Sequence, residues 1–198
     1  MSEKTKQNNT PSYSPSAIGR RVRGEEQTSA CLPVDFAELV SQSVENMRYF
    51  IGANQVHIES SVDDKKYFYG DPKLLTIILN NLISNGIKHR KQNFDDAQVK
   101  INVVADDKKA IINVIDNGVG IKSDDTNKIF DLFHRTDKKD LGAGMGLYLV
   151  KEIIAKLHGK ILVESAENAG TEFTVEIPNL NAPANVITND TNHKKYFQ

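Results

Sequence analysis

Two pairs of strand-like runs, each closed by a short loop, flank a single helix-like run in the second half of this chain. Val99 to Val104 and Ala110 to Ile115 read as strands joined by the polar turn Asp106-Asp107-Lys108-Lys109. Lys160 to Ser165 and Thr171 to Ile177 read as a second pair whose loop carries Gly170. Between the pairs, Leu147, Val150, Ile153, Ile154 and Leu157 recur at helical spacing just after Gly146. A doubly wound sheet needs strand and helix to alternate throughout, so this order argues against one. The expected fold is α+β, a two-layer α/β sandwich with a mixed, mostly antiparallel sheet and its helices on one face.

The first half supplies two further helices. Asp35 is a good cap, Glu38 completes a capping-box pattern, and Phe36, Leu39, Val40, Val44, Met47, Phe50 and Ile51 follow at helical spacing. Val56 to Ser60 alternates like a strand, and Tyr67-Phe68-Tyr69 suggests another short one. Asp71-Pro72 announces the second helix, because proline suits the first helical position, where an N–H would be unpaired anyway. Leu74, Leu75, Ile78, Leu82 and Ile83 form its apolar stripe.

The ends read differently. Residues 1–30 hold few large apolar side chains, with Pro11 and Pro15 as breakers, and are expected to form a flexible arm or linker remnant. A single folded unit is expected over 31–178, with residues 179–198 as a fraying tail. Twenty-five basic and 26 acidic residues among 198 leave a net charge of −1. That balance gives no basis for the electrostatic attraction a nucleic-acid binder uses. No apolar run reaches the roughly 18 residues of a membrane span, and the start lacks a signal-peptide core. One cysteine, Cys31, fits a reducing, cytoplasmic setting, although a parent protein could be membrane-anchored.

Three polar elements stand out against this frame. Asn81, Asn85 and Lys88 are four and three positions apart, so they share one helix face opposite the apolar stripe. Amide oxygens suit Mg²⁺, and an ammonium beside them opposes phosphate charge; a stripe of this kind alone also describes an ordinary solvated face. Asp116 follows the apolar run Ile111-Ile112-Asn113-Val114-Ile115 and so ends a strand. There it can accept from an exocyclic amine such as that of adenine, with Gly118 and Gly120 admitting a planar base, or it can simply make an Asp-Asn-Gly turn. Gly142, Gly144 and Gly146 precede a helix and let N–H groups converge on phosphate oxygens. They lack the Lys-Ser/Thr of a P-loop and do not directly follow a strand.

Taken in order, Asn81-Leu82-Ile83-Ser84-Asn85-Gly86-Ile87-Lys88, Asp116-Asn117-Gly118-Val119-Gly120, Phe130-Asp131-Leu132-Phe133 and Gly142-Ala143-Gly144-Met145-Gly146-Leu147 resemble the N, G1, F and G2 boxes of the catalytic ATP-binding domain of sensor histidine kinases, in the GHKL or Bergerat-fold superfamily. Gly170-Thr171-Glu172-Phe173 resembles the closing G3 element, and the resemblance runs from about Leu32 to Pro178. It implies a Mg-ATP site in which Asn85 coordinates Mg²⁺ with Asn81 nearby, while Lys88 and His89 contact phosphates or ribose. It implies that Asp116 reads the adenine amine, with Gly118, Gly120 and Ile121 lining the base and Thr171 at the same end. Phe130 and Phe133 would anchor a lid over residues 134–140, in which Arg135, Lys138 or Lys139 would neutralise charge during transfer. Gly142, Gly144, Gly146 and Leu147 would close over the phosphates.

In hydrolytic relatives of this superfamily the position of Asn81 carries a glutamate that activates water, and an amide is no such base. The resemblance therefore implies phosphotransfer to a protein histidine by positioning and charge neutralisation. His57, His89, His134, His158 and His193 all lack the acceptor pattern His-Glu/Asp-x-Arg-x-Pro. The implied partners are thus a dimerisation and histidine-phosphotransfer domain elsewhere, in the parent kinase or another chain, and a downstream response regulator. The alternatives on the same fold are a non-catalytic ATP-binding interaction module and an anti-sigma-factor-type serine kinase. A hydrolase of the gyrase, Hsp90 or mismatch-repair type comes third. Gly86 stands where the family generally has alanine.

Overall fold

The structure, a computed structural model, describes residues 31–50, 52–64, 68–92, 95–134 and 144–180. Their order is β1 (Leu32–Val34), α1 (Phe36–Met47), β2 (His57–Asp64), β3 (Phe68–Gly70), α2 (Pro72–Lys88), β4 (Gln98–Ala105), β5 (Lys109–Asp116), α3 (Gly146–Lys156), β6 (Lys160–Ala166) and β7 (Gly170–Pro178). A short 3₁₀ turn, Ala53–Gln55, separates α1 from β2.

Both tight hairpins form as the patterning predicts, β4 with β5 and β6 with β7. They join through β5 and β7, giving the five-stranded order β2-β4-β5-β7-β6. Only β2–β4 is parallel, from His57 opposite Gln98 to Asp64 opposite Ala105, and α2 lies on the crossover between them. The sheet is mixed and mostly antiparallel. A separate ribbon pairs β1 with β3, and β1 is a strand that three exposed or half-exposed residues could not announce.

One face of the sheet is core. Val99, Ile101, Val103 and Ala105 alternate inward along β4, as do Ala110, Ile112 and Val114 along β5. Against them α2 buries Leu75, Ile78, Leu79, Leu82, Ile83 and Ile87, and α3 buries Val150, Ile153 and Ile154. Leu74, expected inside, is only partly buried, and Leu79 takes its place in the stripe. Asp35 and Asp71 cap their helices, accepting from Glu38 N at 2.9 Å and from Lys73 N at 3.0 Å. Only half of the expected capping box forms, since Glu38 Oε1 accepts from Gln42 Nε2. α1 also stops at Met47, short of Phe50, which is partly buried beyond the helix end.

The folded part extends past its expected limit. Asn179 is buried, its N–H donates to Lys108 O, and its Oδ1 accepts from Tyr69 N at 3.1 Å. The expectation of a tail fraying from Asn179 is therefore corrected for Asn179 and Leu180. The rest of that tail and the arm at 1–30 lie outside the described residues.

Candidate nucleotide site

β5 ends at Asp116, between Val99 of β4 and Thr171 of β7. Its Oδ1 accepts from Gly118 N at 2.8 Å, and the Thr171 backbone N–H also donates to the carboxylate. Burial pushes the Asp116 carboxyl up to about 6, outweighing the two donors that pull it down. Two glycines bring backbone against this position. A side chain on Gly118 would strike His89 O, and one on Gly170, at φ +98°, would strike Asp116 O. Gly120, at φ +67°, presses on Ala166 O. Val119 N donates to His89 O at 2.9 Å, which seats the turn on the end of α2. Ile121, half-buried next to the core, donates its N–H to Ser165 Oγ at 2.9 Å.

The polar face of α2 carries half-buried Asn81 and Asn85 and exposed Lys88. Asn81 Nδ2 donates to Ile77 O at 2.8 Å, which leaves Oδ1 turned toward Gly146, where a Cβ would stand 2.8 Å from it. α2 and the opening of α3 therefore meet at Asn81. Lys88 Nζ stands over the Phe50 ring, 5.4 Å from its centroid. His89 ends the helix, its N–H bonded to Asn85 O.

Phe130 is buried, whereas Phe133 is 66% exposed and has φ +63°. Phe133 N donates to Gly144 O at 3.0 Å, and Gly144, at φ +66°, has no room for a side chain beside His134 O. α3 opens at Gly146 behind Met145, which supplies no side-chain cap, and Leu147 is half-buried. The first N–H groups of α3 thus lack a side-chain acceptor from their own cap. Arg135 and Gly142 lie outside the described residues. The structure brings Asp116, Gly118, Gly120, Ile121 and Thr171 into one cluster. Asn81, Gly144, Gly146 and Leu147 form a second around the start of α3.

Three participants escaped the sequence reading. Ser165 sits in an ordinary alternating strand. Asn117, one half of a turn dipeptide, fixes the end of β4 by accepting from Gln98 N at 2.8 Å and donating to Asp96 O. Asn80 Oδ1 is buried with no hydrogen-bond partner, next to the expected Asn81. Ser165 and Asn117 carry no local signal, because each acts on a segment distant in sequence. Among the described residues no three His, Cys, Asp or Glu side chains converge as a metal cluster. No helix there is long and apolar enough to cross a membrane. A separate cleft of about 800 Å³ opens beyond α2, lined by Gln55, His57, Arg90 and Lys91 among others, and shares no residue with the site.

The family model for histidine kinase-, DNA gyrase B- and HSP90-like ATPases matches residues 70–181. Similar proteins include the sensor-like histidine kinase SenX3 of Mycolicibacterium smegmatis, 31% identical over 80% of this chain and 41% of its own length. The sensor protein CiaH of Streptococcus pneumoniae is 33% identical over 81% of this chain and 36% of its own. Among solved structures, full-length ShkA in complex with AMPPNP is 27% identical with a TM-score of 0.68, covering 79% of this chain and 33% of that one. The catalytic domain of histidine kinase ThkA, nucleotide-free, is 26% identical with a TM-score of 0.64, over 75% and 95%. This chain spans about two fifths of the length of such curated relatives.

Proposed function

Because this chain belongs to the histidine kinase-, DNA gyrase B- and HSP90-like ATPase family, we propose that it works as the Mg-ATP-binding catalytic domain of a two-component sensor histidine kinase. It donates the γ-phosphate of ATP to a histidine on a separate dimerisation and phosphoacceptor domain, which passes it to a response regulator. The setting is cytoplasmic. The observation that carries the reading is the Asp116 cradle, a buried carboxylate that accepts from the Gly118 and Thr171 N–H groups, with Gly118 packed beside it and Gly170 against its main-chain carbonyl. A planar base bearing an exocyclic amine suits such a site, because the amine donates to a buried carboxylate that otherwise lacks partners for its remaining lone pairs.

Donor chemistry supports the cofactors too. Asn85, with Asn81 Oδ1 one turn away, would hold Mg²⁺ through amide oxygen, a ligand it accepts alongside water and phosphate. The chemistry such a metal would supply there is neutralisation of phosphate charge. Gly144, Gly146 and the uncapped N–H groups of α3 face the phosphate end, where a helix N-terminus favours negative charge. Lys88, once off the Phe50 ring, and His89 would contact phosphates or ribose, and Arg135 would oppose charge as transfer proceeds. Gly118, Gly120, Ile121 and Thr171 line the base, Phe133 starts the lid, and Gly142 and Leu147 complete the phosphate loop. Asn81 cannot take a proton from water, and its Nδ2 is already committed to Ile77 O. Attack by a positioned imidazole therefore outcompetes hydrolysis.

The test mixes this chain with a dimerisation and phosphoacceptor domain and γ-labelled Mg-ATP. Acid-labile, base-stable phosphate on that domain is expected, and Asn85→Asp and Asp116→Asn should each weaken ATP binding at least tenfold by calorimetry. Acid-stable phosphate would move the assignment to a serine kinase. Strong ATP binding by both variants would remove the site itself.

A further inference from the structure

Ser165 joins three segments through one hydroxyl. Its Oγ receives the Ile121 N–H at 2.9 Å, lies 2.8 Å from Gly170 O, and lies 3.1 Å from Thr171 Oγ1. A hydroxyl has one proton and two acceptor positions. Gly170 O can only accept, so the Ser165 proton is committed there. The contact with Thr171 is then a hydrogen bond only if the Thr171 hydroxyl donates to Ser165. Every position on Ser165 Oγ is filled in this way, and the direction of the Thr171 proton is set.

Thr171 follows Gly170 directly, pairs with Asp116 in the ladder, and is buried. Its proton points back toward β6, so Thr171 Oγ1 offers lone pairs to whatever lies beside Asp116. We propose that Ser165 is a specificity-determining residue of the nucleotide site: by taking the Thr171 proton it leaves an acceptor-only pair, Thr171 Oγ1 and the Asp116 carboxylate, which selects a 6-amino purine and rejects a 6-oxo one. Ser165 is a positioning residue, acting through Thr171 and through the Ile121 end of the Gly118–Gly120 turn. This deepens the ATP-site reading and rests on it. At C6 a 6-oxo purine turns an acceptor toward two acceptors where a 6-amino purine turns two N–H donors, and a buried mismatch of that kind carries most of the discrimination polar pockets achieve.

The experiment measures Mg-ATP and Mg-ITP affinity by calorimetry for the whole chain and for Ser165→Ala, Ser165→Thr, Thr171→Val and Asp116→Asn. In Ser165→Ala the Thr171 hydroxyl regains a rotatable proton that can meet a 6-oxo group. ATP binding should weaken by about tenfold or less, ITP binding should strengthen or hold, and the ATP:ITP preference should fall by about tenfold or more. Ser165→Thr, which keeps the hydroxyl, should restore the preference. Ser165→Ala should change the preference far less in a Thr171→Val background, where the proton it redirects is gone. If ATP and ITP weaken together in Ser165→Ala, or if the preference is unchanged, Ser165 is only a structural tie and the inference fails. If Asp116→Asn leaves ATP binding intact, the nucleotide-site reading fails first, and the two failures are told apart.

Discussion

Asp116 sets two backbone donors against burial, and burial wins, moving its carboxyl from 3.8 up to about 6. Between those values the folded chain holds a proton that the unfolded chain has released. Stability attributable to this group therefore falls as pH rises from about 4 to about 6, and the cost is carried in full at neutrality. A shift of this size corresponds to at most about 3 kcal/mol. Asp116→Asn removes that cost and keeps an acceptor for Gly118 N, so at pH 7 it should stabilise the chain by about 1 kcal/mol, a few degrees in Tm. The same change should weaken Mg-ATP binding. In the unaltered chain, ATP affinity should fall as pH drops through about 6, because the protonated carboxyl no longer offers two acceptor oxygens to an amine. Thermal unfolding and calorimetry at pH 5.5 and 7.5 check both; a lower Tm for Asp116→Asn, or a flat affinity, overturns the account. That a carboxylate ends β5 was legible, since it follows a mostly apolar, β-branched run. Its burial was not, because the walls are Gly118 and Gly170, one of which arrives from another hairpin.

At the scale of elements, α2 lies so close to the sheet that Gly86 has no space for a side chain. A Cβ there would sit 2.7 Å from Val99 Cγ2 and 3.3 Å from Asp116 Cβ. Glycine costs a helix interior about 1 kcal/mol relative to alanine, but overpacking a stiff, fully buried valine costs about 1–3 kcal/mol. Gly86→Ala should therefore destabilise, by about 1 kcal/mol net, despite its better propensity. Removing the obstruction reverses the sign: in a Val99→Ala background, Gly86→Ala should be neutral or stabilising, a coupling of about 1–2 kcal/mol in a denaturation double-mutant cycle. Additive effects would mean that α2 shifts to make room. The sequence predicted α2, its Asp71 cap and all of its apolar stripe but the exchange of Leu74 for Leu79, because those depend on neighbours two to four positions away. The seating of α2 on β4 was hidden, as were the parallel β2–β4 pairing and the three-residue β1, because each depends on residues far along the chain. The same distance kept Ser165 out of the sequence reading while Asp116 and Gly118 were inside it.

For the whole molecule, the β1–β3 ribbon is the part the five-stranded sheet does not hold. Phe68 of β3 packs on Phe36 of α1, ring centroids 5.2 Å apart at 58°, which ties the ribbon to the core from one side. Asn179 ties it from the other. Its Oδ1 accepts from Tyr69 N, its own N–H donates to Lys108 O in the β4–β5 turn, and Leu180 N donates to Tyr69 O at 3.1 Å. Two residues beyond the last strand thus link the ribbon to the hairpin, although β7 already completes the sheet without them. A chain ending at Pro178 forfeits these three bonds and uncovers Tyr69 N and Lys108 O. At about 1 kcal/mol per bond, its unfolding free energy should be about 2–3 kcal/mol below that of a chain ending at Leu180. The Asp116 cradle lies at the opposite end of β5 from this anchor, since Lys109 pairs with Pro178 while Asp116 pairs with Thr171. Mg-ATP affinity should therefore be the same for both chains wherever both are folded. Urea denaturation and calorimetry on the pair decide it: equal stabilities would show that Asn179 follows the fold without holding it, and a selective loss of affinity would show that the anchor reaches the site along β5.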